Sequence, residues 1–208
     1  MKEFLRDSEK WFKSNHSEDS WNSVSTPFSV WPSIFDKKSW NTQPELKLKR
    51  LDMWKFFVNW LKDNSIKNLI DIGTASGQFP LLCLNSGIEA YGIDPKYDML
   101  YSNKEDWNQL NININDYLYL GSVESFINTK KNINIECVSL LNYLHGDDWN
   151  NRDIKFIQSV IDFDIEYLIT SNSKNPQCQE LLSNNFEKIL TYEQISDYEN
   201  HFIFRRRV

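Results

Sequence analysis

The sequence predicts an α/β fold: a mostly parallel seven-stranded sheet with an antiparallel C-terminal strand, preceded by a helical or irregular N-terminal extension. Three observations carry this. A strand, a glycine turn, a helix and a second strand follow one another between residues 68 and 94. Apolar runs of strand length then keep alternating with helix-length segments as far as residue 184. The last two β-like runs, Phe186–Tyr192 and His201–Arg206, have no helix-length segment between them. Alternation of this kind builds parallel sheets with right-handed crossovers. Two strands without room for a crossover pair antiparallel.

Each element has a local reason. Leu46, Leu48, Leu51, Met53, Trp54, Phe57, Val58 and Leu61 recur at helical spacing with Lys and Arg between them, which predicts an amphipathic cover helix over 45–62. Pro44 suits its first turn, and Asn64-Ser65 ends it. Asn68–Ile72 is a buried strand bounded by glycine. Residues 77–86 form a helix with Pro80 in its first turn and Gly87 as its stop. Ala90–Asp94 is the second strand, 96–109 a helix, Tyr117–Leu120 the third strand and Val123–Asn128 a short helix. Ile133–Leu141 is the fourth strand, 151–162 a helix, Glu166–Ser171 the fifth strand and 176–184 a helix. The terminal arginines, Arg205 to Arg207, are expected to be solvated.

Composition sets the outer limits. The chain has 208 residues, 40% hydrophobic and 25% charged, enough for one domain with a small appendage. At 14% aromatic it is no disordered chain. Three cysteines without C-x-x-C spacing exclude a disulfide scaffold and fit a reducing compartment. No apolar run reaches the roughly 18 residues of a membrane span, and Met1-Lys-Glu-Phe-Leu-Arg-Asp is too charged for a secretory signal, so a cytoplasmic protein without membrane contact is expected. The net charge of -6 speaks against a general affinity for nucleic acid. It is unevenly placed, at +3 over residues 1–68 and -9 over 69–208, and six of the eight tryptophans lie in the first 60 residues. Residues 1–65 therefore read as an aromatic-rich extension with its cover helix, and 66–208 as the main domain. His16, His145 and His201 are scattered, and no metal site is expected.

Glycine points to the chemistry. Of only six glycines, four sit between positions 73 and 92. The stretch Asp71-Ile-Gly73-Thr74-Ala75-Ser-Gly77 follows a strand and opens a helix. Such glycines let a ligand approach the backbone, and a helix start offers N–H donors. Asp94-Pro95 ends the next strand, where a carboxylate can accept both hydroxyls of a ribose lying across the strand tips. A dinucleotide fingerprint lacks two of its three glycines here, because Ala75 and Gln78 hold those positions, and no Gly-Lys-Ser/Thr phosphate loop occurs.

The D-x-G-x-x-x-G pattern resembles motif I of the class I S-adenosylmethionine-dependent methyltransferases, and Gly92-Ile-Asp94-Pro95 resembles the ribose-binding end of their second strand. The resemblance covers residues 66–208 and implies a Rossmann-like methyltransferase sandwich that binds S-adenosyl-L-methionine. It implies cofactor contacts from Asp71, Gly73, Thr74, Ala75, Gly77, Asp94 and Pro95. It places Ser122, Val123 and Glu124 against adenine, with Ser122 standing where many members carry an acid. The fourth strand, Glu136 to His145, resembles motif IV and implies that Leu140 faces the methyl group, with Asn142 and Tyr143 toward the acceptor. The D/N-P-P-Y/F/W signature of amine-methylating enzymes is missing, since Asn142-Tyr143 lacks both prolines. His145 is the candidate base. In this family segments ahead of the first strand often form a lid, which puts Trp31 on the substrate side. The expected activity is methyl transfer to a small-molecule or carbohydrate-like acceptor, at oxygen. The alternatives are a tRNA-modifying methyltransferase, a non-catalytic S-adenosylmethionine-binding module and, more distantly, a nicotinamide oxidoreductase.

Overall fold

The computed structural model describes residues 44–94, 104–129, 133–141, 151–171, 175–192 and 200–207. Helix α1 (Pro44–Asp63) leads into β1 (Asn68–Ile72), α2 (Gln78–Asn85) and β2 (Glu89–Asp94). Then come α3 (Lys104–Gln109), α4 (Ile114–Tyr117), β3 (Leu118–Leu120), α5 (Val123–Thr129) and β4 (Cys137–Leu140). The chain closes with α6 (Asn151–Asp162), β5 (Tyr167–Ser171), α7 (Pro176–Asn185), β6 (Phe186–Tyr192) and β7 (His201–Arg206).

The seven strands form one sheet in the order β3-β2-β1-β4-β5-β7-β6. The first five are parallel to one another, while β7 runs antiparallel to β5 and β6 antiparallel to β7. From β1 the chain winds outward through β2 and β3, then returns to β4 on the other side of β1. That reversal opens a crevice beyond the strand ends, where open α/β sheets bind ligands.

Each face of the sheet carries its own core. On one face Leu51, Met53, Trp54, Phe57, Val58 and Leu61 of α1 are buried with Leu69, Phe79, Cys137, Ile169 and Ile203. Full burial of such a side chain contributes about 1.5–3 kcal/mol, so α1 is held to the sheet by a large apolar face. The expected amphipathic helix is confirmed, and its apolar side is part of the main core. On the other face Ile70, Val138 and Leu168 pack with Val123 and Phe126 of α5, Ile157 and Val160 of α6, and Cys178 and Leu182 of α7. Among the described residues no helix is long and apolar enough to cross a membrane.

Two readings need correction. The fourth strand was expected from Ile133, but pairing with β1 begins at Cys137 opposite Leu69. The cause is Glu136: its carboxylate accepts from the backbone N–H of Lys67 at 2.5 Å and of Asn68 at 3.1 Å, replacing ladder bonds at the start of β1. Its carbonyl accepts from Glu166 and Tyr167 at the start of β5. Arg206 is the second correction, while Arg205 and Arg207 are exposed as expected. Arg205 is exposed and pairs with Glu166 at 3.2 Å. Arg206, by contrast, donates to the carbonyls of Ile161 and Ile165 at 2.7 Å each, and also to that of Phe163, so it closes the C-terminal end of α6. Arg207 does the same after α7, donating to Ser183 and Phe186 carbonyls at 3.1 Å. Cationic donors suit helix C-termini because the last carbonyls lack intrahelical partners.

Candidate functional site

The crevice floor is built by register. Asp71 on β1 lies opposite Gly92 on β2 and Ser139 on β4; Ser139 lies opposite Ile169 on β5, and Ile169 opposite Ile203 on β7. Side chains alternate along strands, so Asp94, two residues beyond Gly92, and His201, two residues before Ile203, share that face. At the strand tips this face becomes polar.

Asp71 is fully buried. Ser139 Oγ donates to its Oδ1 at 2.5 Å, while Oδ2 has no hydrogen bond among the described residues. Burial pushes the carboxyl up to about 7; the Ser139 and Thr74 hydroxyls pull it back and the Asp94 charge adds to the rise. Asp94 is also buried, and its Oδ2 accepts from the backbone N–H of Ala75 at 3.0 Å. Asp94 therefore fixes the shape of the glycine loop.

The amides of the loop ahead of the helix start are largely taken up within the fold. Gly73 and Thr74 both donate to the Ile93 carbonyl, at 2.8 and 3.1 Å, and Gly77 donates to Thr74 at 3.1 Å. Strand β2 thus uses the first two amides, Asp94 takes that of Ala75 and the Thr74 carbonyl that of Gly77, so four of the five amides from Gly73 to Gly77 are already engaged. Gly73 and Gly77 adopt positive φ, 68° and 70°, as does Ala75 at 54°. At Gly77 the space for a side chain is already filled: a Cβ would lie 2.7 Å from Leu118 and 2.9 Å from Trp107. This glycine answers to the packing of α3 and β3 as well as to the turn. At Gly92 a Cβ would meet Leu118 at 2.6 Å and Thr74 at 2.7 Å.

Among the described residues the loop leaves a group of buried polar atoms without hydrogen-bond partners: Asp71 Oδ2, Thr74 Oγ1, Ser76 Oγ and Gln78 Oε1. Unsatisfied buried polar atoms are expensive, at about 1–3 kcal/mol each, and a cluster of them beside a crevice marks where a polar ligand completes the structure. Gln78 is itself held from α3, its Nε2 donating to Asp106 at 2.9 Å.

On the outer side of β2, Asp94 is in register with Leu120, an exposed apolar residue at the tip of β3. Beyond it Ser122 begins α5, its Oγ accepting from the N–H of Ser125 at 3.2 Å, which accounts for a serine there. Val123 is buried in the core of that face. Glu124 lies within α5. Leu140 ends β4 and is buried. Pro95, Asn142, Tyr143, His145 and Trp31 lie outside the described residues.

The structure adds residues that the sequence reading passed over. Ser139 is one, hidden inside an apolar-looking strand. His201 is another: it opens β7 opposite Ser171, at the ligand end of β5, and is buried with its ring 6.3 Å from that of Phe57. Tyr192 lies opposite His201 and 4.9 Å from Phe56. The signal for His201 was the antiparallel final pair itself, which sends the first residue of β7 to the tips of the parallel strands.

No protein-family model matches the chain, and no curated protein matches it by sequence. Solved structures do match. Magnesium protoporphyrin IX methyltransferase from Synechocystis PCC 6803, crystallised with S-adenosylmethionine, superposes with a TM-score of 0.63 at 13% identity, covering 97% of both chains. The methyltransferase domain of bacterial CtHen1-C gives 0.57 at 16% identity over 75% of this chain and 97% of that one. TrmK from M. capricolum, in complex with S-adenosylhomocysteine, gives 0.52 at 18% identity over 73% and 68%. WbdD gives 0.58 at 14% identity over 88% of this chain, which spans only 46% of WbdD's own length. The architecture and its strand order are those of the class I methyltransferase fold. The mostly parallel sheet with its reversed C-terminal strands is thus as the sequence predicts.

Proposed function

We propose that this protein is an S-adenosylmethionine-dependent methyltransferase acting at oxygen on a small-molecule or carbohydrate-like acceptor. The observation that carries the cofactor reading is the cluster of buried, unpartnered polar atoms on the 71–78 loop, set beside Asp94 at the point where the strand order reverses. A polar nucleoside with an amino-acid end fits that donor and acceptor set; a diphosphate does not, because the first loop amides are turned to β2. The fold shared with methyltransferases crystallised with S-adenosylmethionine or S-adenosylhomocysteine supports the same reading.

In this reading Asp94 binds the ribose hydroxyls, Leu120 and Val123 flank the adenine with Ser122 and Glu124, and Asp71, Gly73, Thr74, Ala75 and Gly77 receive the amino-acid end. When bound, the cofactor supplies a methyl group on a positively charged sulfur. The protein's task is then alignment: an acceptor held in line by fixed walls gains about 7–11 kcal/mol from orientation in favourable cases. Leu140 and the residues after it, Asn142 and Tyr143, border the reacting end. His145 is assigned the proton of an acceptor hydroxyl. His201 on β7 and Tyr192 on β6, two to three strand spacings or about 10–15 Å across the sheet from β4, offer the adjoining acceptor wall, and Trp31 the cover. The net charge of -6 favours a small acceptor over a nucleic acid.

The test is calorimetry with S-adenosylhomocysteine, followed by a methyl-transfer screen over hydroxylated small molecules, saccharides and tRNA. Micromolar binding and transfer to a hydroxyl are expected. Transfer to tRNA alone replaces the acceptor assignment; binding without transfer to any acceptor points to a non-catalytic module; tight NADH binding in place of S-adenosylhomocysteine overturns the cofactor.

A further inference from the structure

Asp71 and Ser139 face each other across the gap between β1 and β4, below the glycine loop. The carboxyl is enclosed, with one oxygen bonded to Ser139 Oγ and the other, near the Thr74 hydroxyl, making no hydrogen bond among the described residues. The groups facing it are Asp94 from β2, Thr74 from the loop, Cys137 with Ser139 from β4, and Cys83 from α2. Both thiols are buried and pushed up, Cys83 by burial and then the Asp71 charge, Cys137 by burial and then the charges of Glu136 and Asp71. None of these groups is cationic. An enclosed carboxylate that, among the described residues, faces only acids, hydroxyls and thiols holds a proton unless a positive charge arrives.

We propose that Ser139 is a positioning residue of the cofactor site: its hydroxyl fixes one oxygen of Asp71, the bare oxygen receives the ammonium of the ligand's amino-acid end, and Asp71 releases its proton as that cation binds. The inference rests on the cofactor reading above. The balance is simple. The neutral carboxyl loses one proton to the buffer, the carboxylate that remains pairs with the incoming ammonium, and no other bond changes. Without Ser139 the carboxyl is free to turn and its ionised form loses a hydrogen bond, so ionisation on binding becomes harder.

The experiment compares S-adenosylhomocysteine with 5′-methylthioadenosine, a nucleoside thioether without the amino-acid end, by calorimetry on the full chain from about pH 5.5 to 7.5 in buffers of different ionisation heat. S-adenosylhomocysteine affinity should fall by up to about tenfold per pH unit below about 7, with proton release on binding, while 5′-methylthioadenosine affinity stays flat. Ser139→Ala should weaken S-adenosylhomocysteine by about tenfold near pH 6.5 and displace its profile upward, leaving 5′-methylthioadenosine unchanged; Ser139→Thr should restore the profile. A flat wild-type profile with no proton release, equal slopes for both ligands, or equal weakening of both by Ser139→Ala overturns the inference and leaves the cofactor reading intact. Failure of both ligands to bind at any pH removes the cofactor reading, and this inference with it.

Discussion

Replacing Asp71 by asparagine should make the unliganded protein more stable at neutral pH, an unusual outcome for a buried polar residue. The carboxyl is lifted from the ordinary 3.8 to about 7, first by burial. Between those values the folded state keeps a proton that the unfolded chain gives up. Stability from this group therefore falls as pH rises through that window and levels off above about 7. At about 1.4 kcal/mol per pH unit, the folded protein above that window carries a penalty of about 4 kcal/mol from Asp71 alone. Asparagine keeps the carbonyl that accepts from Ser139, but sets an unpartnered amide where Oδ2 stood, which costs about 1–3 kcal/mol. The variant should thus gain about 1–3 kcal/mol over wild type at about pH 8 and lose a similar amount at about pH 4. Urea unfolding of both proteins across that range measures the difference, with all other titrating groups cancelling. Parallel stability profiles would refute the argument, because they would mean that Asp71 titrates alike in the folded and unfolded chain.

Three further outcomes follow from the same geometry. Asp94→Ala should weaken S-adenosylhomocysteine binding at least about tenfold by calorimetry, since two charge-assisted bonds and the Ala75 N–H acceptor are lost together; unchanged affinity removes the ribose role. Gly92→Ala places a Cβ 2.6 Å from Leu118 and 2.7 Å from Thr74, so urea unfolding should show a loss of about 1–3 kcal/mol and calorimetry weaker cofactor binding. Arg206→Ala removes a guanidinium bonded to three carbonyls at and just beyond the end of α6, and the urea midpoint should fall by the equivalent of about 3 kcal/mol. Arg206→Lys should recover less than half of that, because an ammonium lacks the planar fork.

The fold was legible because its signals are local. Asn68–Ile72, the Gly73 and Gly77 turn, and the β2 strand ending at Asp94 need only apolar runs and glycine placement, and the final pair needs only the missing crossover. What escaped depends on partners far away in sequence. Glu136 shortens β4 by bonding to Lys67 and Asn68. Arg206 looks like a solvated tail until the end of α6 is placed beneath it. The loop amides look available until the Ile93 carbonyl turns out to accept from two of them. Ser139 is silent in sequence because a serine between Val138 and Leu140 reads as a neutral strand residue; only the register with Asp71 gives it a task.

The packing of α1 bears on how the protein can be cut. A change in composition near residue 65 suggests a natural place to trim, yet Trp54, Phe57 and Leu61 sit in the same apolar layer as Leu69 and Ile203. A fragment starting at β1 would expose to water the part of that face that α1 covers, beside the part that Phe79, Leu81 and Trp107 still cover. Minimal versions for crystallisation or library work must therefore keep Pro44–Asp63, and a tag placed ahead of Pro44 is safer than one that replaces the helix.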